Sequence, residues 1–146
     1  CPSCAKAHLI IEELVKEYAG KVNWVVRDFP LEKHPNAYRA AEAAEAAREQ
    51  GKYWEYVAVI FQNQTALSAD KLKEYAGQIG LDRARFDAAL GSGKFADRVQ
   101  RDLREGAKLG VNSTPAVFVN GRRVAEANKE SLKAAIESAL KNGDGK

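Results

Sequence analysis

Cys1-Pro2-Ser3-Cys4 opens the sequence and contains its only two cysteines. Cysteines three apart at the start of a helix can close a disulfide across a single turn. Pro2 suits such a start, because a first-turn N–H would be unpaired in any case. The same turn exposes backbone N–H groups and the positive end of the helix dipole, both of which favour a thiolate. The thiolate is the nucleophile of disulfide exchange. In this arrangement Cys1 is the outer, attacking thiol, and Cys4, one turn in and facing the core, resolves the mixed disulfide. The chemistry is reversible thiol–disulfide exchange, which needs no organic cofactor and no metal because the disulfide is itself the redox group.

Other uses of the same residues are open at this point. Cys1, Cys4 and His8 share roughly one helical face, and His34 could complete a four-ligand zinc set. An inert structural disulfide is a further option, although so small a loop would stabilise the fold little. Covalent haem attachment would need histidine directly after the second cysteine, where Ala5 stands. Taken singly, His8 reads as an ordinary helix side chain and His34-Pro35 as a turn. Glu12, Glu13 and Glu17 have lysines nearby and form no distinctive carboxylate pair. Trp24, Tyr53, Trp54 and Phe61 read as core aromatics. Arg98, Arg101 and Arg104 read as a solvated helix face. With a net charge of +3 and no interleaved aromatic platforms, they give no nucleic-acid groove.

The elements that must position the cysteines follow from periodicity. Ile10, Ile11, Leu14, Val15 and Tyr18 form the apolar stripe of a first helix ending near Gly20. Val22–Arg27 reads as a strand that Asp28-Phe29-Pro30 terminates. From Asn36 to about Gly110 the chain is nearly all helical. An alanine-rich stretch (Ala40, Ala41, Ala43, Ala44, Ala46, Ala47) leads, followed by a run with Tyr53, Trp54, Val57, Ile60 and Phe61. Ser68 and Asp82 are expected to cap helices. A later helix turns Phe95, Val99 and Leu103 inward. Thr114-Pro115 precedes a strand, Ala116–Val119, and a proline there can be cis. Asn120-Gly121 is a favoured two-residue hairpin turn, after which Arg122–Ala125 can pair back. Asn128 would cap a last helix carrying Leu132, Ile136 and Leu140 before an Asn142–Lys146 tail. No stretch approaches the roughly 20 apolar residues needed to span a bilayer. At 146 residues a single α/β core split by a helical insert is the expected organisation, as residues 1–35, 36–104 and 105–146.

Four segments in this order resemble the DsbA-like, thioredoxin-fold family of bacterial thiol:disulfide oxidoreductases, particularly its shorter branch. They are Cys1–Cys4 with the following helix, Val22–Leu31, Glu49–Glu55 and Gly110–Gly121. The resemblance implies a thioredoxin-like α/β fold interrupted by a helical insertion that covers one side of the active-site face. It implies Cys1 as nucleophile and Cys4 as its partner. Pro115 would be cis and pack beside the pair. Thr114 would offer backbone hydrogen bonds to an extended substrate peptide, with Pro2 and Ser3 completing the substrate-contacting set. Pro2-Ser3 departs from the commonest dipeptides between such cysteines and bears on redox direction, since the dipeptide tunes the potential. The implied partners are cysteine-containing proteins and a membrane or soluble thiol redox partner, in a periplasmic or other extracytoplasmic location. Two other readings accompany this one: a non-catalytic zinc- or disulfide-stabilised binding domain, and a glutathione-dependent transferase or isomerase of related fold.

In this family a strand runs into the first cysteine, and that strand is absent from this sequence. The remaining strands would then flank an empty lane with unpaired edge groups. The expectation is an upstream strand in the physical protein, with a membrane tether through that missing N-terminal segment as a further option. A strand from another chain or a rearranged sheet would be the alternative.

Overall fold

Helix α1 (Pro2–Glu17) starts at the proline of the cysteine motif and ends in a turn that reaches Gly20 at φ +79°. This is the left-handed conformation in which glycine costs least. The computed structural model describes residues 1–143 and shows two compact units. One comprises Cys1 with Val26–Asn112; the other comprises Pro2–Val25 with Ser113–Lys146.

The first unit holds α2 (Ala37–Glu49), α3 (Tyr53–Gln62), α4 (Ala69–Gln78), α5 (Arg83–Ser92) and α6 (Ala96–Lys108). Alanines 40, 43, 44, 46 and 47 of α2 are buried against Tyr56, Leu72 and Phe86. Small side chains here let the larger residues of α3, α4 and α5 close over α2. The caps follow the sequence: Ser68 Oγ accepts from Lys71 N at 3.3 Å and Asp82 Oδ1 from Arg85 N at 3.0 Å. Phe29 packs on α6 where Gly106 leaves room; a Cβ there would lie 2.7 Å from the ring.

The second unit packs α1 against α7 (Lys129–Asn142) and a hairpin of β1 (Phe118–Val119) and β2 (Arg122–Arg123). Phe118 pairs with Arg123 and Val119 with Arg122, antiparallel. Asn120 at φ +47° and Gly121 at φ +81° make the turn that joins them. The pairing extends one step through Val124 N to Val117 O at 2.9 Å. Leu14, Tyr18, Leu132 and Ile136 form the buried centre, fringed by half-buried Ile10, Ile11, Val22, Trp24, Val117, Val119 and Val124. Asn128 caps α7 by accepting from Ser131 N at 2.8 Å.

Three sequence expectations are corrected. Val22–Arg27 is not a paired strand: the only ladder among the described residues is β1–β2. The segment keeps the alternation of a strand, with Val22, Trp24 and Val26 half-buried and Asn23, Val25 and Arg27 exposed. Its side chains thus obey a period of two while its backbone has no ladder to join. Helix α7 runs through Asn142 and closes on Gly143 at φ +68°, so the expected tail is helical at its start, and 144–146 lie outside the described residues. Leu140 is exposed, unlike Leu132 and Ile136, because it lies beyond the end of the apolar patch under α7.

Candidate active site

Cys1 immediately precedes the first helical residue and Cys4 sits in the first turn of α1, both half-buried. Pro2 and Ser3 between them are exposed. The first turn contains no acidic residue, so no carboxylate there opposes the positive end of the helix. Further along, Ala7, His8 and Leu14 are buried and hold the helix against its unit.

His8 Nε2 lies 3.4 Å from Glu12 Oε1. Burial pushes its pKa below the ordinary histidine value, with the Glu12 carboxylate pulling part of the way back. It is therefore a neutral, packed imidazole near pH 7 and adds no full charge to the turn. His34 is a turn residue: its N–H donates to Leu31 O at 3.0 Å and its carbonyl accepts from Ala37 N at 2.9 Å. Among the described residues, no group of three or more His, Cys, Asp or Glu side chains is placed to hold a metal ion. Side-chain placement therefore gives the zinc set no support.

The Thr114–Pro115 peptide is cis, and both residues are half-buried. The step leads into Ala116 and Val117, where the hairpin begins. Val117 and Val119 pack on the centre formed by Leu14, Tyr18, Leu132 and Ile136. Cys4, Thr114 and Pro115 thus belong to one unit, while Cys1 groups with the helical unit.

Two features of the helical unit have no counterpart in the sequence reading. Gln64, in the turn after α3, donates from Nε2 to the Cys1 carbonyl at 2.7 Å. A single polar residue 63 positions away leaves no periodic signal. The second is a buried carboxyl cluster of Asp28, Glu45 and Asp102. Asp102 Oδ2 accepts from Asp28 N at 3.0 Å, and its Oδ1 lies 3.4 Å from both Arg27 and Arg101. Glu45 is bracketed by Arg48 at 3.1 Å and Arg98 at 3.0 Å. Burial, then the neighbouring Glu45 and Asp102, pushes the Asp28 carboxyl up to about 7, with Arg48 opposing. Asp28 Oδ2 is buried with no hydrogen-bond partner among the described residues; a proton there lets it bond Glu45. The i,i+3 spacing of Glu45 and Arg48 is that of an ordinary helix-surface pair, and tertiary packing buries the glutamate.

A protein-family model described as thioredoxin matches residues 1–138. Among curated proteins, the chain is 40% identical over 142 residues to a Na(+)/H(+) antiporter NhaA 3 of Salinispora tropica, covering 96% of this chain and 22% of that protein. It is 36% identical over 143 residues to a Na(+)/H(+) antiporter NhaA of Herminiimonas arsenicoxydans, covering 98% and 23%. The chain therefore spans less than a quarter of these relatives' length. Among solved structures, a thioredoxin-like oxidoreductase from Silicibacter pomeroyi superposes with a TM-score of 0.80 at 26% identity, over 97% of this chain and 81% of that one. Oxidised BdbD from Bacillus subtilis superposes at 0.78 with 21% identity, over 97% and 82%, a likeness of fold.

Proposed function

Because the chain belongs to the thioredoxin family, we propose that it is a thiol–disulfide oxidoreductase that oxidises cysteine pairs in extracytoplasmic proteins. The observation that carries this reading is the placement of Cys1 and Cys4 around the first turn of α1, at a helix mouth free of acidic residues. A substrate thiolate attacks Sγ of Cys1 in the Cys1–Cys4 disulfide. The S–S bond breaks and Cys4 leaves as thiolate. A second substrate thiolate then attacks the substrate sulfur of the mixed disulfide and expels the Cys1 thiolate. Two electrons pass from the substrate dithiol to the cysteine pair. A helix mouth that stabilises the released Cys1 thiolate favours the reduced protein and so makes the disulfide a better oxidant. Pro2, Ser3, Thr114 and Pro115 are assigned to the substrate peptide on the strength of the resemblance.

The test is trapping. Cys4→Ser, first charged as the Cys1–glutathione mixed disulfide, should release glutathione on attack by a reduced, unfolded cysteine protein and accumulate the mixed disulfide of that protein at Cys1, and Cys1→Ser should form none. Stoichiometric zinc with protected thiols would replace this reading with a binding domain. Turnover of a glutathione conjugate without protein-disulfide exchange would replace it with a transferase or isomerase.

The antiporter names among the relatives favour a second reading of the partner: a membrane transport protein whose thiols this domain serves. No helix among the described residues is long and apolar enough to cross a membrane, so on this reading the membrane part is separate from these residues. Trapped Cys4→Ser from membranes should then carry a transport protein in the mixed disulfide, and only secreted or periplasmic proteins if the reading is wrong.

A further inference from the structure

The geometry points to Gln64 as a positioning residue for the attacking thiol. Its side-chain amide holds the backbone of Cys1 by donating to the Cys1 carbonyl. This inference rests on the assignment of Cys1 as nucleophile.

Cys1 lies just outside the first helical residue, and helix ends fray unless something beyond the helix restrains them. Gln64 supplies such a restraint through its 2.7 Å bond to the Cys1 carbonyl. The bond is itself built on a braced turn. Asn63 N donates to Ile60 O at 3.2 Å, and Asn63 Nδ2 donates back to Val59 O at 2.8 Å. Ala66 N donates to Asn63 O at 2.9 Å, closing the turn across Gln64. The Ala66 carbonyl in turn accepts from Tyr75 Oη at 2.8 Å, and the Tyr75 ring is buried in the helical core. Phe61 and Leu67, on either side, pack against that same core. The amide therefore projects from a fixed point.

A hydrogen bond from a fixed donor limits how far the Cys1 backbone can move, and with it the Cys1 side chain whose thiolate fraction depends on its surroundings. Gln64 touches no reacting atom; its influence on the sulfur passes through the Cys1 backbone.

The experiment uses Gln64→Ala and Gln64→Glu in the Cys4→Ser chain, with the rate of Cys1 alkylation by iodoacetamide followed across pH. Gln64→Ala removes the donor, and its pH midpoint should move upward, with alkylation near neutral pH about 2- to 10-fold slower, the scale of one hydrogen bond. Gln64→Glu keeps the size but replaces the donor by a carboxylate, so its midpoint should move further upward than that of Gln64→Ala. Thermal unfolding is measured alongside, because a purely structural role would lower the melting temperature and leave the pH midpoint in place. An unchanged midpoint in both variants overturns the inference. Failure of the functional reading is visible separately. A midpoint that follows Gln64 in a chain that never forms a mixed disulfide upholds the positioning role and removes the oxidoreductase.

Discussion

The helical unit and the α/β unit solve the same stability problem differently. In the helical unit, the alanines of α2 sit with Tyr56, Leu72 and Phe86 in a broad buried centre. Asp28, Glu45 and Asp102 are also buried in this unit. In the α/β unit the buried apolar cluster among the described residues is smaller, Leu14, Tyr18, Leu132 and Ile136, with a half-buried fringe. Its ladder is two residue pairs long. Side-chain ties between α1 and α7 supplement this: Tyr18 Oη to Glu137, Lys129 to Glu13 and Lys133 to Glu17. Regions with few buried apolar contacts open more easily. Cys4, Thr114 and Pro115 therefore lie in the unit expected to open more easily, and Cys1 and Gln64 lie in the other.

Core truncation should expose this contrast most strongly. Phe86→Ala, at a fully buried ring in contact with Tyr56 at 5.5 Å between centroids, should cost about 3–5 kcal/mol by denaturant unfolding. Val117→Ala, on the half-buried fringe, should cost about 1 kcal/mol or less. Equal losses would remove the distinction between a dense and a sparse core.

Acidity should act next, and mainly on the helical unit. A folded-state value for Asp28 above the ordinary 3.8 means that its contribution is complete below about 3.8 and is lost as pH rises through about 7. The wild type should thus lose stability between about pH 4 and 7 and level off above that. Asp28→Asn, which cannot ionise, should flatten that slope and gain roughly 1–3 kcal/mol over wild type at pH 8. A wild-type slope unchanged by the substitution would place the titration elsewhere.

A smaller effect is expected where the Phe29 loop meets α6. Gly106→Ala puts a methyl group 2.7 Å from the Phe29 ring and should destabilise by about 1–2 kcal/mol, the cost of overpacking. A neutral or stabilising result, the usual gain for replacing glycine in a helix, would show that the ring moves away freely. Ser68→Ala should cost about 1 kcal/mol through loss of the α4 cap, with urea midpoints as the check.

What the sequence revealed was mostly local. Ser68, Asp82 and Asn128 cap helices because a short polar side chain just before an apolar period has few other uses. Asn120-Gly121 turns the hairpin because those residues tolerate positive φ. The Cys1–Cys4 spacing placed the pair at a helix mouth, and Thr114–Pro115 is cis as the resemblance implied. What stayed hidden was long-range. Glu45 stands in an alanine run with Arg48 three residues on, the pattern of a surface pair, and only packing against Arg98 and the Asp28 segment buries it. Glu13 and Glu17 pair with lysines more than 100 residues away rather than with nearby ones. Val22–Arg27 has the composition and alternation of a strand, but a ladder is a property of two segments and cannot be read from one. Gln64 meets Cys1 only through tertiary structure.

The most direct test of the central claim is the equilibrium reduction potential of the Cys1/Cys4 pair in glutathione buffers. A disulfide donor to substrate proteins should lie near the oxidising end of the thioredoxin-fold range, roughly −120 mV. A value near about −270 mV, or failure of the two cysteines to form a bridge, would contradict it.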